Sequence, residues 1–295
     1  MRSWLIGVFV SALLAVFFFG SSTTAQRAGA YPGFTLVMQT TDFDAKGATL
    51  SSRTYTKYHS NTGDWRSVGT FGGYELATVY RRGRGVYISN ARTSVLLKTS
   101  DHAPGCPLRT AEQLQRDPKF ARTEMVLGLK AYVLSQRLSA GGLVETYWAP
   151  ELGGGTPFRR IYNFDDGRKI TEEPISITLG EPAATDVSGP DYKVIEQVPI
   201  FNDKLSNQIL SKPDPIYPVE AQARDLSGIV CIQVIVDESG RVLSARSSTR
   251  TPFLVEAAVE AAYQAWFSPT IVDGKPVITE GRISYQFVPP QVSKN

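Results

Sequence analysis

His59 and His102 are the only imidazoles in the chain, and neither has an acid neighbour in sequence that would make it a general base. His59 falls in an expected strand and His102 in an expected loop. The chain has no Gly-x-Ser-x-Gly elbow, no His-Glu-x-x-His zinc signature and no Gly-x-x-x-x-Gly-Lys-Ser/Thr phosphate loop. Asp165-Asp166 and Glu172-Glu173 are paired carboxylates, but both pairs fall where turns are expected and read as solvated surface. Arg81, Arg82 and Arg84, with Tyr80 and Tyr87, could hold a phosphate or an acidic headgroup; a solvated hairpin tip is the plainer reading. Cys106 sits in a Pro-Gly-Cys-Pro loop and Cys231 in an apolar strand, and unpaired thiols are expected for both. His102 and Cys106 lack companions at metal-ligand spacing. The expectation is no catalytic residue, no metal, no cofactor and no enzyme activity.

The chemistry must therefore lie in binding, and the elements decide what could bind. A chain of 295 residues predicts two ordinary domains. Its formal net charge of +3 is too small to imply nucleic acid as a partner. Residues 1–25 read as a signal peptide: Arg2, then an apolar run from Trp4 to Gly20, then Thr23-Thr24-Ala25 as a small-x-small cleavage site. The alternative is an uncleaved inner-membrane anchor, for which the run is short. Either way the remainder is placed in the periplasm.

From Phe34 to Leu179 the pattern is short strands and turns. Strands are expected at Phe34–Thr41, Arg53–His59, Asp64–Thr70, Tyr74–Arg81, Gly85–Ser89, Thr93–Lys98, Leu129–Leu138, Leu143–Trp148, Arg159–Phe164 and Lys169–Leu179. The turns include Ser60–Gly63, Arg81–Arg84, Gly141-Gly142 and Asp165-Asp-Gly167. One helix is expected at Thr110–Phe120, capped by Thr110 and ended by Pro118. The stretch Val126-Leu-Gly-Leu-Lys-Ala-Tyr-Val133, then Val144-Glu-Thr-Tyr-Trp-Ala-Pro-Glu-Leu152 and Pro157, resembles LolA-like lipoprotein-carrier domains. The resemblance implies a curved antiparallel sheet wrapped over helices, with an apolar concavity able to take a lipid ligand.

Residues 183–210 read as a linker with at most one strand. Beyond it, Pro218 opens a helix over Val219–Leu226. Ile229–Val236 is a strand apolar on both faces, Val242–Ser248 a second, and Thr251-Pro252 starts a helix whose stripe runs from Leu254 to Ala265 and Trp266. In the last strand, Arg282–Val288, Ile283, Tyr285 and Phe287 alternate with polar residues. Tyr217-Pro218, Gly228-Ile-Val230, Gly240-Arg-Val242, Trp266-Phe-Ser-Pro269, Gly274-Lys-Pro-Val277 and Tyr285-Gln-Phe287 together resemble the TonB C-terminal domain.

That resemblance implies a small two-layer α/β module at residues 211–290. It also implies that the last strand receives an extended peptide, the TonB box of an outer-membrane transporter. The residues so implicated are Arg282, Ser284 and Gln286 on that strand, with Lys212, Asp214 and Tyr217 before the first helix. Trp266, Phe267 and the alanines are expected in the core.

The whole chain is thus expected to be α+β: a β-rich domain at 26–182 followed by the module. It is read as an envelope protein of TonB type that binds a protein partner by strand pairing and takes part in TonB-dependent transport. The alternative is a lipid or lipoprotein carrier whose module docks it or makes a homodimer. The apolar segment lacks the anchor histidine of an energy transducer, and a β domain stands where a Pro-rich spacer would, so binding is favoured over motor coupling.

Overall fold

The computed structural model describes residues 33–71, 74–90, 92–101, 108–139, 141–153, 155–247 and 253–288. The expected signal segment, His102, Cys106 and the Thr251-Pro252 cap lie outside these residues. Among the described residues no helix is long and apolar enough to cross a membrane. The chain divides into two compact units. The first takes the described residues up to Thr70, then Glu75–Ile88 and Ser100–Asp191; the second takes Phe71–Tyr74, Ser89–Thr99 and the chain from Tyr192 onward.

The strands of the first unit are β1 (Phe34–Phe43), β2 (Thr49–His59), β3 (Trp65–Phe71), β4 (Tyr74–Arg81) and β5 (Gly85–Asn90), and, after β6 (Val95–Ser100) of the second unit, β7 (Phe120–Val126), β8 (Leu129–Arg137), β9 (Leu143–Trp148), β10 (Arg159–Asn163) and β11 (Lys169–Leu179). They form a large curved sheet in the order β5-β4-β3-β2-β1-β11-β10-β9-β8-β7. Glycine makes the tight turns possible: Gly63, Gly83 and Gly167 hold φ of 90°, 75° and 86° between consecutive strands. β1 is central, paired to β2 on one side and β11 on the other. Phe34, Leu36 and Met38 of β1 are buried with Ala131 and Val133 of β8, Tyr147 of β9 and Phe158.

Helix α1 (Ala111–Gln115) is held by a capping box in which Thr110 and Gln113 satisfy each other's backbone N–H. It is shorter than expected because the chain turns at Asp117–Phe120 into β7, a strand the sequence reading missed. Leu114 packs it on Tyr132 and Leu134 of β8. Helix α2 (Ala184–Ser188) ends this unit, its Asp186 carbonyl accepting from the buried Arg66 guanidinium, which also pairs with Glu75.

The second unit contains β6 and β12 (Lys193–Ile195), paired in parallel, and then β13 (Ile200–Phe201), β14 (Ile209–Ser211), α3 (Val219–Gln222), β15 (Gly228–Val236), β16 (Val242–Ser247), α4 (Leu254–Tyr263), β17 (Trp266–Phe267), β18 (Thr270–Val272), β19 (Lys275–Val277) and β20 (Thr279–Phe287). The stretch expected as linker is therefore built into structure, and its Leu205 is fully buried in the core of this unit. The main sheet runs β13-β20-β15-β16. Val230, Ile232, Val234 and Val236 of β15 and Ile283, Tyr285 and Phe287 of β20 meet Leu254, Ala258, Ala261 and Ala262 of α4. Alternation in both strands and helical spacing in α4 point these residues into one layer. Burying each large apolar side chain contributes about 1.5–3 kcal/mol, so this interior suffices to hold a small module.

Candidate functional site

Among the described residues, β20 is a strand whose second edge is mostly unoccupied. On one side it pairs along its whole length with β15, from Thr279 opposite Val236 to Phe287 opposite Gly228. On the other side β13 covers only its start, pairing in parallel at Thr279 and Glu280. Two bonds fix which residues face outward. Asn202 N–H donates to the Glu280 carbonyl at 2.8 Å, and the Lys212 ammonium donates to the Ser284 carbonyl at 2.9 Å. Outward groups alternate along a strand, so the backbone N–H and C=O of Arg282, Ser284 and Gln286 face outward. Ile283, Tyr285 and Phe287 then bond inward to β15. Among the described residues no strand pairs with β20 beyond Glu280 on that side.

Gly281 marks where the covering strand leaves. A Cβ at this position would come within 2.6 Å of Leu205 and 2.9 Å of the Asn202 carbonyl. Glycine there lets Leu205 seal the core while β13 peels away.

The opposite edge of the sheet is closed by side chains. Thr93 donates to the Leu243 carbonyl of β16 at 3.2 Å, and the Tyr263 hydroxyl accepts from Ala245 N–H at 3.0 Å. Arg92 fixes Tyr263 from above, its guanidinium 4.6 Å from the ring centre and 2.8 Å from Glu260. An unpaired edge is a template for another chain, and among the described residues the outer side of β20 beyond Glu280 is one.

The six residues implicated by the resemblance all lie along β20. Arg282, Ser284 and Gln286 are exposed, on the face away from α4, opposite Gln233, Cys231 and Ile229 of β15. Lys212 bridges from the preceding segment to Ser284, its ammonium 4.9 Å from the Tyr285 ring centre. Burial, and then the nearby charge of Asp214, pushes the Tyr285 phenol up to about 12, and its buried hydroxyl has no hydrogen-bond partner. Tyr217 sets its ring edge-on to Phe287 at 5.8 Å and donates its hydroxyl to the Leu226 carbonyl, so it is anchored inside the module.

One expectation needs correction here. Trp266 is 39% exposed: α4 ends at Tyr263, so the helical stripe does not extend to it, and it lies in β17 against the Arg241 guanidinium. The second apolar face of β15 is covered in part, with Ile235 buried and Ile229 58% exposed.

Residues 213–289 match the family model of the Gram-negative bacterial TonB protein C-terminal. This stretch contains β15, β16, α4 and all of β20, so the TonB C-terminal module and the open edge coincide. Among solved structures, the Pseudomonas aeruginosa TonB C-terminal domain is 25% identical, covering 30% of this chain and 88% of that one, with a TM-score of 0.23. A LolA superfamily protein from Nitrosomonas europaea is 13% identical over 52% of this chain and 88% of that one, with a TM-score of 0.28. The Pseudomonas aeruginosa MucA/MucB complex is 15% identical over 88% of this chain and 90% of the other, with a TM-score of 0.37. No curated protein matches the chain.

Proposed function

We propose that this is a non-enzymatic protein of the cell envelope whose TonB C-terminal module binds an extended peptide of a partner protein by strand addition to β20. The observation that carries the reading is the asymmetry of the sheet: Thr93 and Tyr263 bond to β16, while among the described residues no strand pairs with the outer side of β20 beyond Glu280. Backbone groups of Arg282, Ser284 and Gln286 supply the affinity, at a net value of about 0.5–1.5 kcal/mol per bond. Their side chains, with Lys212 and Asp214, border the incoming strand and select it, and Tyr217 holds the segment before the first helix in place. Lys212 yields the Ser284 carbonyl to a partner N–H, so docking exchanges one bond rather than only adding bonds. In the envelope, the fitting partner is the TonB box of an outer-membrane transporter.

The test is a titration of the full chain with a TonB-box peptide, comparing wild type with Ser284→Pro. Proline removes an outward donor and leaves the inward ladder to β15 intact. Affinity is expected to fall at least about fivefold, the value of one lost bond. Equal affinity in a folded variant, or no binding by the wild type, contradicts the reading.

A further inference from the structure

A second cluster of charged groups lies in the first unit, far in sequence from β20. Glu172 is only 6% exposed, which overturns its reading as solvated turn surface. It sits in mid-strand β11, opposite Thr40 of β1 on one side and Arg160 of β10 on the other. Residues directly opposite in an antiparallel register share a face. Arg160 and Glu172 therefore project together, and they form an ion pair at 2.7 Å. The same register places Tyr55 opposite Met38 and Lys57 opposite Leu36, so β2 adds Tyr55, Lys57 and His59 to the face that carries Phe34, Leu36, Met38 and Thr40.

The charges on this face do not balance. Arg160 uses Glu172, and no second carboxylate pairs with Lys57. Its ammonium lies 5.5 Å from the centre of the Tyr55 ring and makes no hydrogen bond to a described residue. Leu36 and Met38 beside it are 2% and 1% exposed, so Lys57 lies against buried apolar side chains. An unpaired cation in such a place is costly unless an anion joins it. Lys57 and Arg160 are both half-buried, so solvent and a small solute still reach them.

We infer that Lys57 anchors an oxyanion site on this face, with Arg160 adding to its positive field, and that the site takes one carboxylate or phosphate group. Tyr55 stays a neutral phenol there, because burial first, and then the Glu172 charge, raise its pKa. His59 stays a neutral ring, because burial and the Lys57 charge hold it down to about 3. Tyr162, beside Arg160 on β10, also faces the site, and further along the same face Arg53 of β2 pairs with Asp42 of β1. Burial and Arg160 lower the Lys57 amine to about 8, against which the Glu172 charge works. The site is therefore charged at neutral pH and discharges in mildly alkaline solution. The group could arrive as a free anion or as the head of an amphiphile whose chain follows Leu36 and Met38.

Calorimetric titration of the full chain with inorganic phosphate and with decanoate at pH 7 tests this, repeated at pH 9.5 and with Lys57→Met. Millimolar or tighter binding by at least one probe is expected. It should weaken at least tenfold in Lys57→Met and at pH 9.5, and persist in the exposed-site control Lys169→Met. Tighter binding of decanoate identifies an amphiphile head, and tighter binding of phosphate a free anion. Methionine keeps the stem and removes the unpaired charge, so the variant should melt above the wild type at pH 7. No binding of either probe, or equal binding by a folded Lys57→Met, overturns the site.

Discussion

His59 lies between two rings, 4.3 Å from Phe34 and 6.2 Å from Trp65. Its folded pKa of about 3 lies below the ordinary 6.5, so below pH 6.5 the unfolded chain takes up a proton that the folded chain refuses. Stability from this group is present above pH 6.5 and falls as the pH drops toward 3, by at most about 4 kcal/mol. His59→Phe keeps the ring contacts, and its melting temperature should fall less between pH 6.5 and 4 than that of the wild type. Parallel pH–melting curves for the two proteins would contradict the placement. Little of this could be read from the sequence. His59 was correctly expected in a strand, but its stacking depends on the register of β2 against β1 and β3. Glu172 was misjudged for the same reason: adjacent carboxylates look solvated until the strand sends one to each face, Glu172 to Arg160 and Glu173 to Arg159.

At the level of elements, turn chemistry made much of the fold readable. Tyr74–Arg81, Leu143–Trp148 and Lys169–Leu179 were expected as strands and are strands with those bounds, because glycine-bearing turns fix their ends. β7 was not readable: Phe120–Val126 carries Arg122, Thr123 and Glu124 in its middle, and the two charges meet each other and, across the sheet, Glu145 and Arg159. β13 has two residues and becomes a strand only through β20. The capping box of α1 was half visible as Thr110, and Thr110→Ala should cost about 1 kcal/mol in a urea melt. Gly281→Ala tests the exit of β13. The added methyl must displace Leu205 or the Asn202 backbone, so the variant should be destabilised by about 1–3 kcal/mol, with loss of amide protection at Ile200 and Asn202. Unchanged protection there would mean β13 does not depend on that close approach.

For the whole molecule, composition excluded more than it identified. A net charge of +3 and the lack of catalytic motifs point to surfaces rather than catalysis, and the stretch that matches the TonB C-terminal model contains the mostly unoccupied edge of β20. The two proposed sites draw on different residues in different units. Lys57→Met should therefore leave peptide affinity unchanged, and Ser284→Pro should leave anion affinity unchanged; loss of both activities in either variant would indicate misfolding rather than a site effect. The central claim is strand addition at the open edge of β20, and amide hydrogen exchange of the full chain with and without a TonB-box peptide tests it most directly. The amides of Ser284 and Gln286 should exchange fast in the free protein and slow on peptide addition, while those of Ile283, Tyr285 and Phe287 are slow in both states. Saturating peptide that leaves Ser284 and Gln286 exchanging as fast as before would contradict the account.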